Sequence, residues 1–228
     1  MALEASAASP VTIGVSDFPA PSAGTESKIR PLALEKLPIG SIEAQGWLLR
    51  QLELQRDGLN GHLSEISAWL EKSNNAWMVE GAHNGWEELP YWLRGYSRLA
   101  YILNDEKMKE EAAVWFEPVL ASQREDGFFG PENKRGERPE IWAQMLMLDC
   151  LQGYYEETGD ERVLSLMKRF FEWEMTVPDE NFIKDYWENC RGGDNIWSVI
   201  WYYGKTGDDS VLPLIEKIHR NNADCTNP

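Results

Sequence analysis

The sequence predicts an all-α protein built from helical hairpins, and three observations support this prediction. Apolar residues recur at helical spacing, for example at Met108, Ala112 and Trp115. The alternation of apolar and polar residues that marks a half-buried strand is nearly absent. Three segments also share one plan, in which an aromatic-ended helix is followed by a tight turn centred on aspartate and by an amphipathic helix. Such helix pairs must stack, because no pair buries its apolar face alone.

The first 36 residues are rich in Ala, Ser, Pro and Gly without periodicity, which predicts an irregular N-terminal arm over 1–36. The first helix is expected to begin at Ser41, a favoured N-cap residue, and to end at Gly58. A second helix is expected from about Leu63. Its apolar residues at helical spacing are Leu63, Ile66, Trp69 and Leu70.

The remaining chain alternates between apolar-periodic segments and polar breaks. Six further helices are predicted, over about 91–103, 108–120, 140–157, 161–175, 195–203 and 209–222. Pro118 is expected to kink the fourth helix of the chain.

The repeated turns indicate how the helices are arranged. Asp105, Asp160 and Asp208 occupy equivalent positions, spaced by 55 and 48 residues. Short uniform connections are typical of an open solenoid, whereas long irregular connections at one end are typical of a closed α/α toroid with a pocket there. Three connections are long and unequal in length, at 73–90, 124–139 and 176–194. This pattern favours the toroid.

The length of the chain limits how much of such a ring it can form. A closed ring of six hairpins takes roughly 300 residues at this period. The chain supplies about 190 residues after its arm. We therefore expect residues 37–228 to form part of an (α/α)6 toroid, with an incomplete edge at which self-association is expected.

Composition limits the classes of partner. The 228 residues include 22 basic and 38 acidic residues, giving a formal net charge of -16 that would repel nucleic acid and anionic membranes. No run approaches the about 18 apolar residues that span a bilayer. The N-terminus lacks the basic start and apolar stretch of a signal peptide, so a cytoplasmic location is the default expectation.

Four blocks of sequence, taken in order, carry a resemblance to a known family. They are LPIGSIEAQGWLLRQLELQRDGLNGHL, NGWEELPYWLRGYSRLAYIL, SQREDGFFGP and FIKDYWENCRGGDNIWSVIWYYGKTGD. From about Leu37 to Asp224, the chain resembles the N-terminal half of the catalytic domain of the DUF1680 group, the glycoside hydrolase family 127-like (β-L-arabinofuranosidase-like) proteins. The resemblance implies a six-hairpin α/α toroid that acts on glycosides of plant or microbial polysaccharides.

The resemblance also implies a glutamate acid/base and a cysteine nucleophile within a zinc-bound cysteine cluster. Those residues lie later in the family than this chain reaches, so no catalytic residue, zinc site or other cofactor is assigned here. Cys150, Cys190 and Cys225 are far apart, match no such cluster, and are expected to be reduced, buried thiols. The chain is accordingly expected to be an inactive part of a glycoside hydrolase.

Candidate carbohydrate-binding residues fall in the long connections. Glu87 and Glu88 precede a helix beside Trp86 and Trp92, so they are candidate sugar-facing carboxylates next to stacking rings. The alternative is that both acids stabilise the positive helix N-terminus while the rings pack in the core.

The segment RGGDN provides a second set of candidates. Arg191 and Asp194 can hydrogen-bond hydroxyl groups, and two glycines let the backbone approach a ligand. Asp194 or Asn195 can instead cap the next helix. Further candidates at the same end are Glu140, Asp126 and the loop histidine His83.

Two other functional classes remain open at this stage. One is a non-catalytic helical-repeat scaffold whose concave face binds a protein. The other is an α/α-toroid lyase or epimerase acting on uronic sugars, for which Arg191 is the nominated basic residue.

Overall fold

The structure is a computed structural model that describes Ile29, Leu34 and residues 36–135 and 138–224. The predicted arm lies almost entirely outside the described residues, and so does Cys225. The described residues from Leu34 onward belong to one compact unit. No helix in these ranges is both long and apolar enough to cross a membrane.

Helices dominate the described chain. In order, the α-helices are α1 (Gly46–Arg56), α2 (Leu59–Ile66), α3 (Glu88–Leu103), α4 (Glu106–Ala121), α5 (Trp142–Thr158), α6 (Arg162–Thr176), α7 (Tyr186–Asn189), α8 (Gly192–Thr206) and α9 (Leu212–Asn221). Short 3-10 helices cover Ala68–Leu70, Lys72–Asn74 and Asp209–Val211. Two three-residue strands, β1 (Asn133–Arg135) and β2 (Arg138–Glu140), pair antiparallel with Asn133 opposite Glu140.

The three aspartate turns are built alike, as predicted. Each first helix ends in a left-handed residue, which lets the chain reverse direction. The aspartate that follows accepts a hydrogen bond from a backbone N–H near the start of the next helix. These left-handed residues and their aspartates are Asn104 with Asp105, Gly159 with Asp160, and Gly207 with Asp208.

The hairpins stack into two rows of helices. Helices α3, α5 and α8 contact one another in sequence order and form one row, while α4, α6 and α9 form the other. Each aspartate turn joins a helix of the first row to a helix of the second. The core lies between the rows and includes the fully buried side chains Trp115, Phe116, Phe129, Phe170 and Phe171. This arrangement confirms the predicted all-α helical-hairpin fold class.

The first two helices differ from their predicted boundaries. Helix α1 begins at Gly46, because Ser41 closes a turn by donating its N–H to the Pro38 carbonyl at 3.1 Å and is therefore not the cap. Helix α2 begins at Leu59, directly after the extended Gly58. Trp69 and Leu70 belong to a separate 3-10 turn rather than to α2.

Two other elements and the burial of one cysteine were predicted wrongly. Glu140 ends a strand instead of starting a helix, and the sequence around it has no alternating pattern that would reveal the strand pair. Helix α7 was not predicted, although Asp185 and Glu188 form a capping box at its start. Cys190 at its end is exposed, not buried, while Cys150 is buried as expected.

Candidate functional site

The long connections bring the N-terminal ends of α3, α5 and α8 together. Trp142, the first residue of α5, lies at the centre of this junction. Its indole Nε1 donates to Glu87 Oε2 at 2.8 Å, which joins α5 to the residue before α3. The ring of Tyr91 meets the Trp142 ring edge to face, with centroids 6.3 Å apart.

Arg191 joins the third helix to this junction. It is the residue that precedes α8, and its guanidinium carbon lies 4.5 Å from the Trp142 ring and 4.6 Å from the Trp187 ring. A guanidinium over an aromatic ring is attracted to its negative face by about 0.5–2 kcal/mol. Two such contacts fix the direction in which Arg191 presents its donors. We refer to Glu87, Tyr91, Trp142, Trp187 and Arg191 as the Trp142 cluster.

Charged side chains continue along the same side of α3, α5 and α8. Asp149 Oδ1 accepts from Arg98 Nη2 at 2.9 Å, and its Oδ2 lies 3.8 Å from Arg94 Nε. Arg94 also lies 5.8 Å from the Tyr91 ring. Burial raises the pKa of Asp194, while the positive charges of Arg191 and Arg94 act in the opposite direction. Asp194 is therefore electrostatically coupled to the Trp142 cluster.

Two buried carboxyl groups hold the start of α5, which carries Trp142, in place. Glu140 Oε1 accepts from the backbone N–H of Trp142 at 2.8 Å, and Glu188 Oε1 accepts from the N–H of Ile141. Burial raises the pKa of Glu188 to about 7, and the nearby Glu140 carboxyl acts in the same direction. These acids satisfy amides at the start of α5, so they position Trp142 instead of facing solvent. Glu140 thus lies at the end of the helices that carries the long connections, as predicted, but its side chain is buried.

Several predicted site residues lie outside the cluster. Trp92 is 6% exposed and packs against Trp115 with ring centroids 5.6 Å apart, which matches the alternative interpretation that it is a core residue. Asn195 is fully buried, and its Nδ2 donates to Glu174 in the interior. Because α8 begins after Arg191, neither Asp194 nor Asn195 is its N-cap.

The loop candidates are also separate. Within the described chain, His83 lies exposed before α3 and makes no hydrogen bond or ion pair with the cluster. Asp126 is an exposed loop residue that pairs with Arg124 at 2.9 Å and accepts from the Phe128 N–H. Trp86 accepts from Trp77 Nε1 through its backbone carbonyl. Glu88 is the first residue of α3, where a carboxylate stabilises the helix N-terminus.

The two glycines of RGGDN have different roles. A Cβ on Gly192 would lie 2.7 Å from Asn222 Oδ1, so this glycine allows α8 to pack closely on the end of α9. A Cβ on Gly193 would meet nothing within 4 Å. Close ligand approach therefore does not explain Gly192, contrary to the sequence interpretation.

Sequence reasoning missed Trp142, Trp187 and Asp149. Each lies on a segment predicted to be an ordinary helix or loop, and the sequence contained one usable signal. A tryptophan lies within two residues of a glutamate at two of the three helix starts. These pairs are Trp86 with Glu87 before α3, and Trp142 with Glu140 at the start of α5.

The described residues do not fit the zinc site that the resemblance implies. Among them, no group of three His, Cys, Asp or Glu residues is arranged to hold a metal ion. Cys150 is buried, its thiol donates to the Pro90 carbonyl at 3.2 Å, and burial raises its pKa well above the usual range. Zinc binding requires the thiolate, which this environment disfavours.

Comparison with curated proteins gave no match, and comparison with solved structures gave none. The sequence model of the family described as Beta-L-arabinofuranosidase, GH127 catalytic domain, matches residues 33–226. This match covers most of the chain and includes every helix of the two rows. With its stacked helical hairpins and the four sequence blocks in order, the chain belongs to the β-L-arabinofuranosidase GH127 catalytic domain family.

Proposed function

We propose that the Trp142 cluster binds the sugar of a glycoside, as part of a glycoside hydrolase that acts on arabinofuranose-containing plant or microbial polysaccharides. Family membership supports this general class. The observation that carries the proposal is the Arg191 guanidinium held between two indole rings at the meeting point of three helices. A donor fixed on rigid elements can orient a hydroxyl-rich ligand.

The cluster combines the chemical groups that sugar binding requires. The rings of Tyr91 and Trp187 are 43% and 45% exposed, so each offers an apolar face to the C–H side of a sugar. Arg191 donates to hydroxyl oxygens, and the carboxylate of Glu87 accepts from hydroxyl groups. Asp194, which lies outside the cluster but feels the charge of Arg191, offers a second carboxylate.

The proposal assigns binding, and not bond cleavage, to these residues. Glycoside hydrolysis needs an acid and a nucleophile or base across the scissile bond. The buried acids Glu140 and Glu188 are engaged by backbone amides at the start of α5. Arg191 is a hydrogen-bond donor, which argues against its role as the base of a lyase or epimerase.

A titration with arabinofuranose oligosaccharides tests the proposal. We expect saturable chemical-shift changes in the wild-type protein, and a Trp187→Ala variant is expected to bind about tenfold more weakly, because a lost stacking contact costs about 1 kcal/mol or slightly more. Trp47→Ala is the matched control, since Trp47 is 78% exposed on α1 and outside the cluster. Its affinity should equal that of the wild type.

Two results would contradict carbohydrate binding at the cluster. One is the absence of saturable binding to any oligosaccharide by the wild-type protein, which would favour a protein-binding scaffold. The other is an equal loss of affinity in the Trp187→Ala and Trp47→Ala variants.

A further inference from the structure

The side chain of Glu188 connects the two helices whose tryptophan rings contact Arg191. Its Oε1 accepts the N–H of Ile141, the residue before α5, and its Oε2 accepts the N–H of Asp185, the residue before α7, at 3.4 Å. The backbone carbonyl of Glu188 accepts the N–H of Arg191 at 3.1 Å. One residue thus ties the start of α5 to the start of α7 and to the residue before α8.

This tie sets the distance between the two rings that hold Arg191. Trp142 is the next residue after Ile141, and Trp187 is the residue before Glu188. The guanidinium carbon of Arg191 lies 4.5 Å from one ring and 4.6 Å from the other. Because a guanidinium is attracted to a ring only within about 6 Å of its centroid, a small separation of α7 from α5 removes at least one of the two contacts.

The groups that face the Glu188 carboxyl are acids from three elements. Glu188 is 1% exposed. Glu140 on β2, Asp185 before α7 and Glu174 on α6 are each close enough to interact with it electrostatically. No lysine, arginine or histidine among the described residues forms an ion pair with Glu188.

The cations nearest to Glu188 along the chain are engaged elsewhere. The Arg191 guanidinium lies against the indole rings, and Lys184 Nζ donates to Asn221 Oδ1 at 2.7 Å. A negative charge on Glu188 is therefore buried among acids without a cation of its own, which is costly.

The resulting proton linkage has a definite sign. Burial raises the pKa of Glu188 to about 7, the charges of Glu140 and Asp185 act in the same direction, and the N–H groups of Ile141 and Asp185 act in the opposite one. When α7 moves away from α5, water reaches the carboxyl and its pKa returns towards the ordinary value of 4.5. The proton thus favours the closed arrangement fully below about pH 4.5, and this advantage is lost as the pH rises to about 7.

We propose that Glu188 is a positioning residue for the Trp142 cluster, and that loss of its proton lets α7 move away from α5, which releases Arg191 and weakens sugar binding. The effect on sugar binding rests on the function proposed above, whereas the movement of Trp187 can be measured without sugar. Helix α7 is the element that moves, because it has four residues and opens at lower cost than the deeply buried α5.

Fluorine NMR of protein labelled with 5-fluorotryptophan tests the movement. The chain has 11 tryptophans, so the Trp187 signal is assigned by its absence from a Trp187→Phe variant. In the wild-type protein we expect this signal to shift between about pH 5 and about pH 8. Glu188→Gln keeps the shape of the neutral acid and cannot ionise, so its signal should stay at the low-pH position. Glu180→Gln, an exposed change outside the cluster, should titrate like the wild type.

The pH dependence of sugar affinity tests the consequence for the site. In titrations with arabinofuranose oligosaccharides, we expect wild-type affinity at about pH 8 to be at least about fivefold weaker than at about pH 5.5, since Arg191 loses a ring contact. Glu188→Gln should bind about equally at both pH values. Glu188→Ala lacks the tie and should bind weakly at both. A purely structural residue would give no such difference between the wild-type and Glu188→Gln pH profiles.

The two measurements separate the movement of α7 from sugar binding. A wild-type Trp187 signal that does not depend on pH, or that shifts equally in Glu188→Gln, overturns the proposal. Equal wild-type affinities at the two pH values also overturn it. A shift that depends on Glu188, in a protein that binds no sugar at any pH, supports the proton-controlled movement and contradicts the proposed function instead.

Discussion

At the scale of single residues, the most informative group is the buried carboxyl of Glu174. Its Oε1 accepts from Asn195 Nδ2, while its Oε2 and Asn195 Oδ1 are both buried without a hydrogen-bond partner. One proton on Glu174 Oε2 would supply the missing donor. Burial raises the pKa of Glu174 to about 8, with the Asn195 hydrogen bond and the Lys217 charge acting in the opposite direction. The neutral acid is therefore the form that suits this environment near pH 7.

This protonation makes the stability of the protein depend on pH. The pKa rises from 4.5 in the unfolded chain to about 8 in the folded protein, so between these values the folded state keeps a proton that the unfolded state has released. The free energy of unfolding then falls as pH rises through this window, by up to about 1.4 kcal/mol per pH unit. Glu188 adds a smaller effect of the same sign, since its pKa rises to about 7.

The substitution Glu174→Gln removes this proton linkage but keeps the shape of the neutral acid. Its amide can donate to Asn195 Oδ1, so urea unfolding at about pH 5 and about pH 8 should show a smaller loss of stability with pH than in the wild type. Glu172→Gln, an exposed change on the same helix, should leave the wild-type slope unchanged. An undiminished slope in Glu174→Gln would show that Glu174 is charged in the folded state.

At the scale of elements, the start of α8 shows how packing decides the role of a residue. Gly192 and Gly193 are adjacent in the first turn of α8. An added Cβ would meet Asn222 and Ile218 at Gly192, whereas it would meet open space at Gly193. The Gly192 N–H also donates to Asn222 Oδ1 at 3.1 Å. Of these two glycines, only Gly192 makes room for the close contact between α8 and the end of α9.

The paired substitutions Gly192→Ala and Gly193→Ala test this difference. Gly192→Ala is expected to destabilise the protein by about 1–3 kcal/mol, because the new methyl group overlaps Asn222 and Ile218. Gly193→Ala should be neutral or stabilising by up to about 1 kcal/mol, as for other helical glycines with space for a side chain. Urea unfolding of both variants checks this. Equal stabilities would mean that α9 moves aside at little cost.

At the scale of the whole molecule, burial is distributed unevenly over the helices. Helix α5 lies in the middle of the first row, between α3 and α8, and nearly all of its residues up to Tyr154 are buried. Helix α1 contains no buried residue, and Trp47, Leu48 and Leu54 are exposed on it. Local opening costs less where few apolar contacts are lost.

Hydrogen exchange of the native protein should follow this distribution. Amides of α5 are expected to exchange slowest, near the rate set by global unfolding, and amides of α1 are expected to exchange at least about a hundredfold faster, which corresponds to about 3 kcal/mol less protection. Mass spectrometry of peptides from the two helices measures both rates under one condition. Equal protection of α1 and α5 would contradict the expectation.

Features that neighbouring residues determine could be predicted from the sequence, whereas features that depend on distant contacts could not. The hairpins and aspartate turns were predictable, because helical periodicity and capping by Asp105, Asp160 and Asp208 act over a few neighbouring residues. The start of α1 and the role of Glu140 were not, because a turn at Pro38 and a strand pair compete with the local helix signal. Of the candidate site residues, Glu87 and Arg191 lie together, but the ring that joins them, Trp142, was not a candidate.

The sequence by itself determined the all-α hairpin class, the positions of the three aspartate turns and the family, since these depend on local patterns and on the order of motifs. Only the tertiary structure decided which side chains meet at the helix starts and which are core. Glu87, Trp142 and Arg191 are far apart in the chain, and Asn195 and Trp92 lie near them in sequence but face the interior. Helix rotation and row packing set these directions, and both result from contacts between residues distant in sequence.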